Sequence, residues 1–424
     1  MSGRILVSFV LFLASAGRLY AWIPPMGPEV QISPEPYSPS ADLQPAIAYN
    51  PLHREFLVVW QRRWGTNLTD YTDIWARRVD AITGELRSSF YVTRDGGEQL
   101  SRIQPAVAYN RQQDEYLVVW SQDPSNHINY EIHGRTISWD GVRGPESTIW
   151  YWGNRSYWNP SVVWNSTNNH YLVTWNGVDT TNGQANDVTG LRLSSTLSAI
   201  GSPIMIEQDQ ATRPSAVSIA YNTTVNEYLA VWQHWIAATS VNNIYARRIS
   251  ANGSLPGLGY PVRTSSRGQA KPSVASSLDQ YFVVWQIQGT YGGLDSRWLD
   301  TEGIPIGDGF GTFGDSGVDY PRMASIDGSN QFLGAYESIY SLGGLTDFAI
   351  EGGFANRSPS GINSFVCTFA WTPYWDNSRP AVAGGGVGFL LAYESWSDYL
   401  GQPRRIWGRL LKTYQNFLPL LSRD

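Results

Sequence analysis

Cysteine is almost missing from this chain of 424 residues: Cys367 stands alone. One thiol closes no internal disulfide, so the fold must be held by its core and not by cross-links. Charge is sparse as well. Asp, Glu, Lys and Arg make up 16% of the residues, the formal net charge is −6, and the basic residues are scattered and form no runs. That leaves no electrostatic footprint for nucleic acid. The five histidines, His53, His127, His133, His170 and His234, form no H-E-x-x-H or other paired spacing, so a catalytic zinc centre has no ligand set. There is no acidic loop of the EF-hand type. We expect no cofactor; a structural calcium held by loop carboxylates and carbonyls is the one metal role left open. No long amphipathic helical period occurs, and no segment after the N-terminus reaches membrane length. What abounds is Trp (19), Tyr (24) and Gly (41), the composition of aromatic-rich strands joined by turns.

The N-terminal segment reads as a signal peptide, with an uncleaved anchor as the alternative. Arg4 is a short positive region, Ile5 to Leu13 is apolar, and Ala14-Ser15-Ala16 offers a cleavage pattern, with a second option after Ala21. We assign residues 1–21 to it and expect the mature chain to be secreted or cell-surface. Sequons at Asn67, Asn154, Asn165, Asn222, Asn252 and Asn356 mark surface positions.

The rest of the chain repeats. An opening element recurs as QPAIAYN (44–50), QPAVAYN (104–110), NPSVVWN (159–165), RPSAVSIAYN (213–222), KPSVASS (271–277), YPRMASI (320–326) and RPAVAGG (379–385). Its prolines, Pro45, Pro105, Pro160, Pro214, Pro272, Pro321 and Pro380, are spaced by 60, 55, 54, 58, 49 and 59 residues. Each opening is followed by an apolar run that ends in an aromatic, such as FLVVW (56–60) or YLVVW (116–120). Such a run reads as a strand buried on both faces. A third element has a small third residue (Ala76, Gly134, Gly190, Ala246, Ser296, Gly352, Gly408) and, in five copies, an Arg next: Arg77, Arg135, Arg247, Arg297 and Arg409. A weaker fourth strand follows.

Four-stranded antiparallel units repeated seven times predict an all-β fold, a seven-bladed β-propeller spanning residues 26–415, with a tail at 416–424. Small residues in the first strand suit the crowded centre. The seventh copy lacks an ordinary fourth strand. Glu29 to Ser33 ends twelve residues before Pro45, as Tyr91-Val92-Thr93 does before Pro105, so the N-terminal strand is expected to complete the last blade. The competing strand, Asn416–Leu421, contains Pro419, which is tolerated only on an edge.

The P-x-V-A-Y-N … Y-L-V-V-W … I-Y-A-R-R pattern resembles the repeat of secreted bacterial β-propeller proteins of poorly defined role. The closing NFLPLLSRD is similar to C-terminal tails of exported proteins of filamentous green bacteria. The resemblance implies the fold and says little of the function.

Loops between the second and third strands, and crossings between blades, are long and emerge on one face. Function concentrates in long loops on a rigid scaffold. Candidate ligand-binding residues there are Trp64, Tyr130, Trp158, Arg213, Trp235, Lys271, Tyr320, Trp375, Arg379 and Trp396. Aromatics beside polar groups suit sugar rings or a partner's surface. The strand-ending Trp60, Trp120, Trp175, Trp232 and Trp285 recur with the unit and belong to its packing, as does the repeated Arg.

Catalytic motifs are weak. Gly314-Asp315-Ser316-Gly317 lacks the His and Asp context a nucleophilic serine needs. Gly309 to Gly314 matches G-x-G-x-x-G but opens no helix. One irregularity stands out. After the strand-ending aromatic, five copies carry Gln61, Ser121, Asn176, Gln233 and Gln286, whereas the last two carry Glu337 and Glu394. These form a speculative acid/base pair of the glycosidase type. The alternative is a shared hydrogen-bonding position in which Glu replaces Gln, and we favour that. The primary expectation is therefore an exported, non-enzymatic, monomeric propeller that binds an extracellular glycan or protein through its long-loop face. A glycan-cleaving hydrolase or lyase on the same scaffold is the alternative, and a cell-envelope structural component is a third reading.

Overall fold

The computed structural model describes residues 26–34, 40–65, 71–93, 100–123, 129–180, 184–289, 292–313, 317–342, 345–358, 361–371, 375–386 and 388–412. Residues 1–21, the tail at 416–424, His127, Asn67 and the Gly314-Asp315-Ser316 segment lie outside these.

The described residues form five four-stranded antiparallel sheets, one larger sheet in which two four-stranded antiparallel units are joined by a parallel bridge between Thr72 and Ser101, and one short 3-10 turn, Gln210–Thr212. The first unit consists of Ser40–Asn50, Glu55–Trp64, Thr72–Asp80 and Leu86–Tyr91, paired in that order. The first strands of the others are Ser101–Asn110, Arg155–Asn165, Ser215–Asn222, Gln269–Ser277, Val318–Ser325 and Asp376–Gly385. Each first strand lies beside the first strand of the next unit, and Asp376–Gly385 lies beside Ser40–Asn50. This is a β-propeller. In the last unit, Asp376–Gly385, Gly388–Ser397 and Gln402–Lys412 are joined by Val30–Gln31 from the N-terminus, which pairs antiparallel with Gln402–Lys412.

The apolar runs explain why units stack. Along a strand, alternate side chains point to opposite faces. Phe56, Val58 and Trp60 therefore enter one cluster with Ile32, Ala392 and Ile406, while Leu57 and Val59 enter another with Tyr116, Val118 and Trp120. The same division is repeated from unit to unit, so each second strand is buried on both faces. The small residue of the third element follows from this crowding: a Cβ on Gly134 would meet Ile149 Cδ1 at 2.6 Å, and one on Gly408 would strike Ile32.

The recurring Arg ties units together. Arg77, Arg135, Arg247 and Arg297 each donate from Nη1 to a backbone carbonyl near or on an outer strand: Ile32 O at 2.8 Å, Val92 O at 2.6 Å, Ile206 O at 2.7 Å and Val262 O at 2.9 Å. Ile32 thus stands toward the first unit as Val92 stands toward the second. The short turns are netted too. Asn50, Asn110, Asn165 and Asn222 accept from backbone N–H groups two and three residues on, and their amides donate toward the next unit.

Each first strand is kinked by a bulge near its start. In six units the bulge falls on the X-Pro pair, and X takes a left-handed conformation: Gln44, Gln104, Asn159, Lys271, Tyr320 and Arg379. The fourth unit corrects the repeat alignment. Its bulge lies between Ser215 and Ser218, on Ala216-Val217, and Ala216 has φ of 52°. Pro214 is therefore not the counterpart of the other prolines. Arg213, expected beside Lys271 and Arg379, ends the 3-10 turn and is exposed over Trp235 instead, 5.7 Å from its ring.

Candidate functional site

The first strands surround a central cavity of about 720 Å³. Two repeat positions decide the charge of its wall. The first is the bulge residue: Gln44, Gln104, Asn159 and Ala216 in units one to four, then Lys271, Tyr320 and Arg379. The second comes two residues later and is Ala46, Ala106, Ser161, Ser218 and Ser273 in units one to five, Arg322 in the sixth and Ala381 in the seventh. Six copies keep this crowded position small; the sixth fills it with a guanidinium. Charge is thus confined to one arc of the cavity.

Around that arc the side chains form a connected network. Lys271 Nζ lies 2.6 and 2.7 Å from the two carboxylate oxygens of Asp319 and 3.7 Å from the centre of the Tyr320 ring. The Arg379 guanidinium lies 5.3 Å from the same ring and 3.5 Å from Glu394 Oε1. Arg322 is exposed, but to the water of the cavity; its Nη1 donates to the Pro321 carbonyl at 2.9 Å. Enclosure lowers its pKa, partly offset by Tyr320 and Asp319, while Arg379 lowers it further. For Arg379, burial opposes the charge, but Glu394, Tyr320 and Glu337 outweigh it and raise the pKa.

The two glutamates have different surroundings. Glu394 is fully buried; it accepts the Gln44 N–H at 2.9 Å and the Arg404 guanidinium at 3.0 Å, besides its contact with Arg379. Glu337 accepts the Ser378 hydroxyl and the Arg379 backbone N–H. Burial raises its pKa, the neighbouring Asp319 adds to the rise, and Ser378, the Arg379 N–H and Lys271 only partly oppose it. Asp319 and Glu337 are direct partners across adjacent antiparallel strands.

The position after the strand-ending aromatic links neighbouring units almost all the way round. Gln61 accepts the Gln104 N–H at 3.4 Å, Asn176 accepts that of Val217 at 3.3 Å, and Gln233 accepts that of Lys271 at 2.9 Å. Gln286 donates to Val318 O at 2.9 Å. Where the second unit has the short Ser121, Gln104 itself accepts the Asn159 N–H at 2.7 Å. Glu394 is one member of this belt, and Arg379 and Arg404 engage what remains of its carboxylate.

The other aromatics named from the sequence do not line the cavity. Trp64 stacks near Tyr71 and donates to Asp73 at 2.9 Å. Tyr130 is buried against Trp158, with ring centres 4.1 Å apart. Trp375 meets Trp407 edge-on, and Trp396 is buried beneath the Arg404 guanidinium. Only Lys271, Tyr320 and Arg379 converge on the cavity. Arg322 and Ser378 were not singled out from the sequence, although Arg322 stands in the quoted YPRMASI, where the other copies have Ala or Ser.

No family model matches the chain, and no curated protein matches it in sequence. Solved structures of related shape include enzymes that act on glycans. A thermostable family-43 glycoside hydrolase has 14% identity and a TM-score of 0.41, over 67% of this chain and 98% of that one. The catalytic domain of the Coprinopsis cinerea GH62 α-L-arabinofuranosidase has 12% identity and a TM-score of 0.39, over 88% and 91%. A Hadza microbial sialidase has 8% identity and a TM-score of 0.49, over 88% and 66%. This corrects the primary expectation of a non-enzymatic binder, because the neighbours fall in the class held as its alternative. At these scores the likeness transfers no residue.

Proposed function

We propose that the chain is a glycan-cleaving hydrolase that works in the central cavity of a seven-bladed propeller closed by its N-terminal strand. The observation that carries the catalytic reading is the cross-strand pair Asp319 and Glu337, next to the cavity-lining Lys271 and Tyr320. Directly opposed residues in antiparallel strands hold their Cβ atoms about 4.5–5.5 Å apart. Retaining glycoside hydrolysis uses two carboxyl groups about 5–5.5 Å apart, one protonated and one ionised. Glu337 is withdrawn from water and pushed toward its acid form. Asp319 lies against the Lys271 ammonium at 2.6 Å.

In this mechanism Glu337 donates its proton to the glycosidic oxygen as the bond to the anomeric carbon breaks. Asp319 attacks that carbon to form a glycosyl ester. Water then cleaves the ester, with Glu337 as the base that takes the water's proton, so the anomeric configuration is retained. The speculative pair Glu337 and Glu394 is not the one proposed, because Glu394 is occupied by two guanidiniums and a backbone N–H. The ring reading is supported by Val30–Gln31 in the last unit, by the Arg77 bond to Ile32 O, and by the cluster joining Ile32, Phe56 and Ile406. Export rests on the N-terminal pattern from Arg4 to Ala16.

The test is product analysis of the mature protein on a panel of oligosaccharides, with the anomer followed by NMR. Glu337→Gln and Asp319→Asn should each slow turnover by about 10²-fold or more. Full activity in the double variant, or glycan binding by the wild type without any bond cleavage, refutes the proposal.

A further inference from the structure

We infer that the sugar held in this cavity carries a carboxylate, and that Arg322 is the group that recognises it. The inference rests on the reading of the cavity as a glycan site and names the class of sugar. Arg322 breaks the repeat where the repeat is strictest: its six counterparts are Ala or Ser. A large cation placed in a crowded centre has a packing cost that neighbouring units avoid. It does not serve the inter-unit belt, and its only hydrogen bond among the described residues goes to the carbonyl of the preceding Pro321.

The charges around it are matched elsewhere. Lys271 is taken by Asp319, and Arg379 and Arg404 share Glu394. Arg322 is left facing the cavity with an unused planar fork, the geometry that suits a carboxylate bidentately. The chain's formal charge is −6, so this is a local feature and not part of a general positive field. The rest of the cavity wall argues against a polyanion. The bulge residues of units one to four are uncharged: Gln44, Gln104, Asn159 and Ala216. One unmatched cation facing a neutral wall fits a monoanionic sugar.

The experiment is calorimetric titration of the mature protein with three probes: a tri-uronate, the methyl ester of the same trisaccharide, and a sialyl trisaccharide. The ester removes the charge and little else. We expect the acid to bind roughly tenfold or more tighter than its ester. Arg322→Gln should abolish that difference by weakening the acid alone, and Arg322→Lys should restore part of it. Preference for the uronate or for the sialyl probe tells where on the sugar the carboxylate sits, and either supports the inference. Equal binding of acid and ester overturns it, as does binding of neither acid. An Arg322→Gln protein that melts normally and binds the acid as tightly as wild type also overturns it. Cleavage of neutral glycans untouched by Arg322→Gln would sink this inference and leave the hydrolase standing; acid-selective binding without cleavage would do the reverse.

Discussion

Replacing Glu394 by alanine separates two roles that its carboxylate plays. The residue is fully buried, with one oxygen on the Gln44 N–H of the first unit and the other on Arg404. Alanine leaves that N–H without its acceptor, at about 1–3 kcal/mol. Breaking a fully buried ion pair would add about 3–5 kcal/mol. However, the Arg379 and Arg404 side chains are 32% and 36% exposed and regain water, so their share falls to about 1 kcal/mol. Glu394→Ala should therefore destabilise by about 2–4 kcal/mol. Glu394→Gln keeps an acceptor of the kind Gln61 and Gln233 supply elsewhere and loses only the charge, at about 1 kcal/mol. Urea unfolding of the two variants, followed by tryptophan fluorescence, measures the gap. If alanine and glutamine are equally destabilising, the hydrogen bond between the last and first units contributes nothing and the reasoning fails.

Glu337→Gln should change the pH dependence of stability. The raised pKa of Glu337 means that its contribution is complete below about 4.5 and is lost as pH rises through the folded value, so the variant should gain on wild type with increasing pH in urea titrations. His170 has the opposite sign. Burial, with Arg192 adding to it, lowers its pKa from 6.5 to about 4, beside the Tyr228 hydroxyl at 2.7 Å. Its contribution, up to about 3 kcal/mol, is present above pH 6.5 and is lost between pH 6.5 and 4; His170→Gln should remove that slope. Arg77→Met and Arg297→Met each remove one bond to a neighbouring unit's carbonyl and should cost a similar amount, about 1–2 kcal/mol by thermal and urea unfolding. A much smaller loss at Arg77 would mean that the Ile32 segment is not held as the other outer strands are.

The unit was readable because its packing demands recur: the same alternation of apolar side chains has to fill the same kind of interface in every copy. What recurs says least about a site. Agreement between copies does not reveal Arg322, because the cation stands where one copy departs from the Ala or Ser of the others. The fourth unit misled through Pro214, a conspicuous residue. The bulge is set by strand register and not by proline, and Ala216 takes the left-handed conformation without one. Glu337 and Glu394 looked equivalent in sequence, but their partners distinguish them, and partners from other units are invisible in a local pattern. The long-loop aromatics were read as a binding surface, yet Tyr130, Trp158 and Trp396 are largely spent on one another or on nearby side chains.

The pairing of Val30–Gln31 with Gln402–Lys412 has a consequence for synthesis. Chains emerge from the ribosome N-terminal end first and fold as they appear. Val30 and Gln31 are made before any other described strand, yet their partners Gly408 and Trp407 are among the last described residues to be made. Until then the first unit has no neighbour on one side, and Phe56, Val58 and Trp60 have only half of their cluster. The early units must therefore wait with an open edge, exposed to aggregation or to mispairing with another chain. The final strand pair should be the slow step of assembly and the point at which a chaperone would matter most.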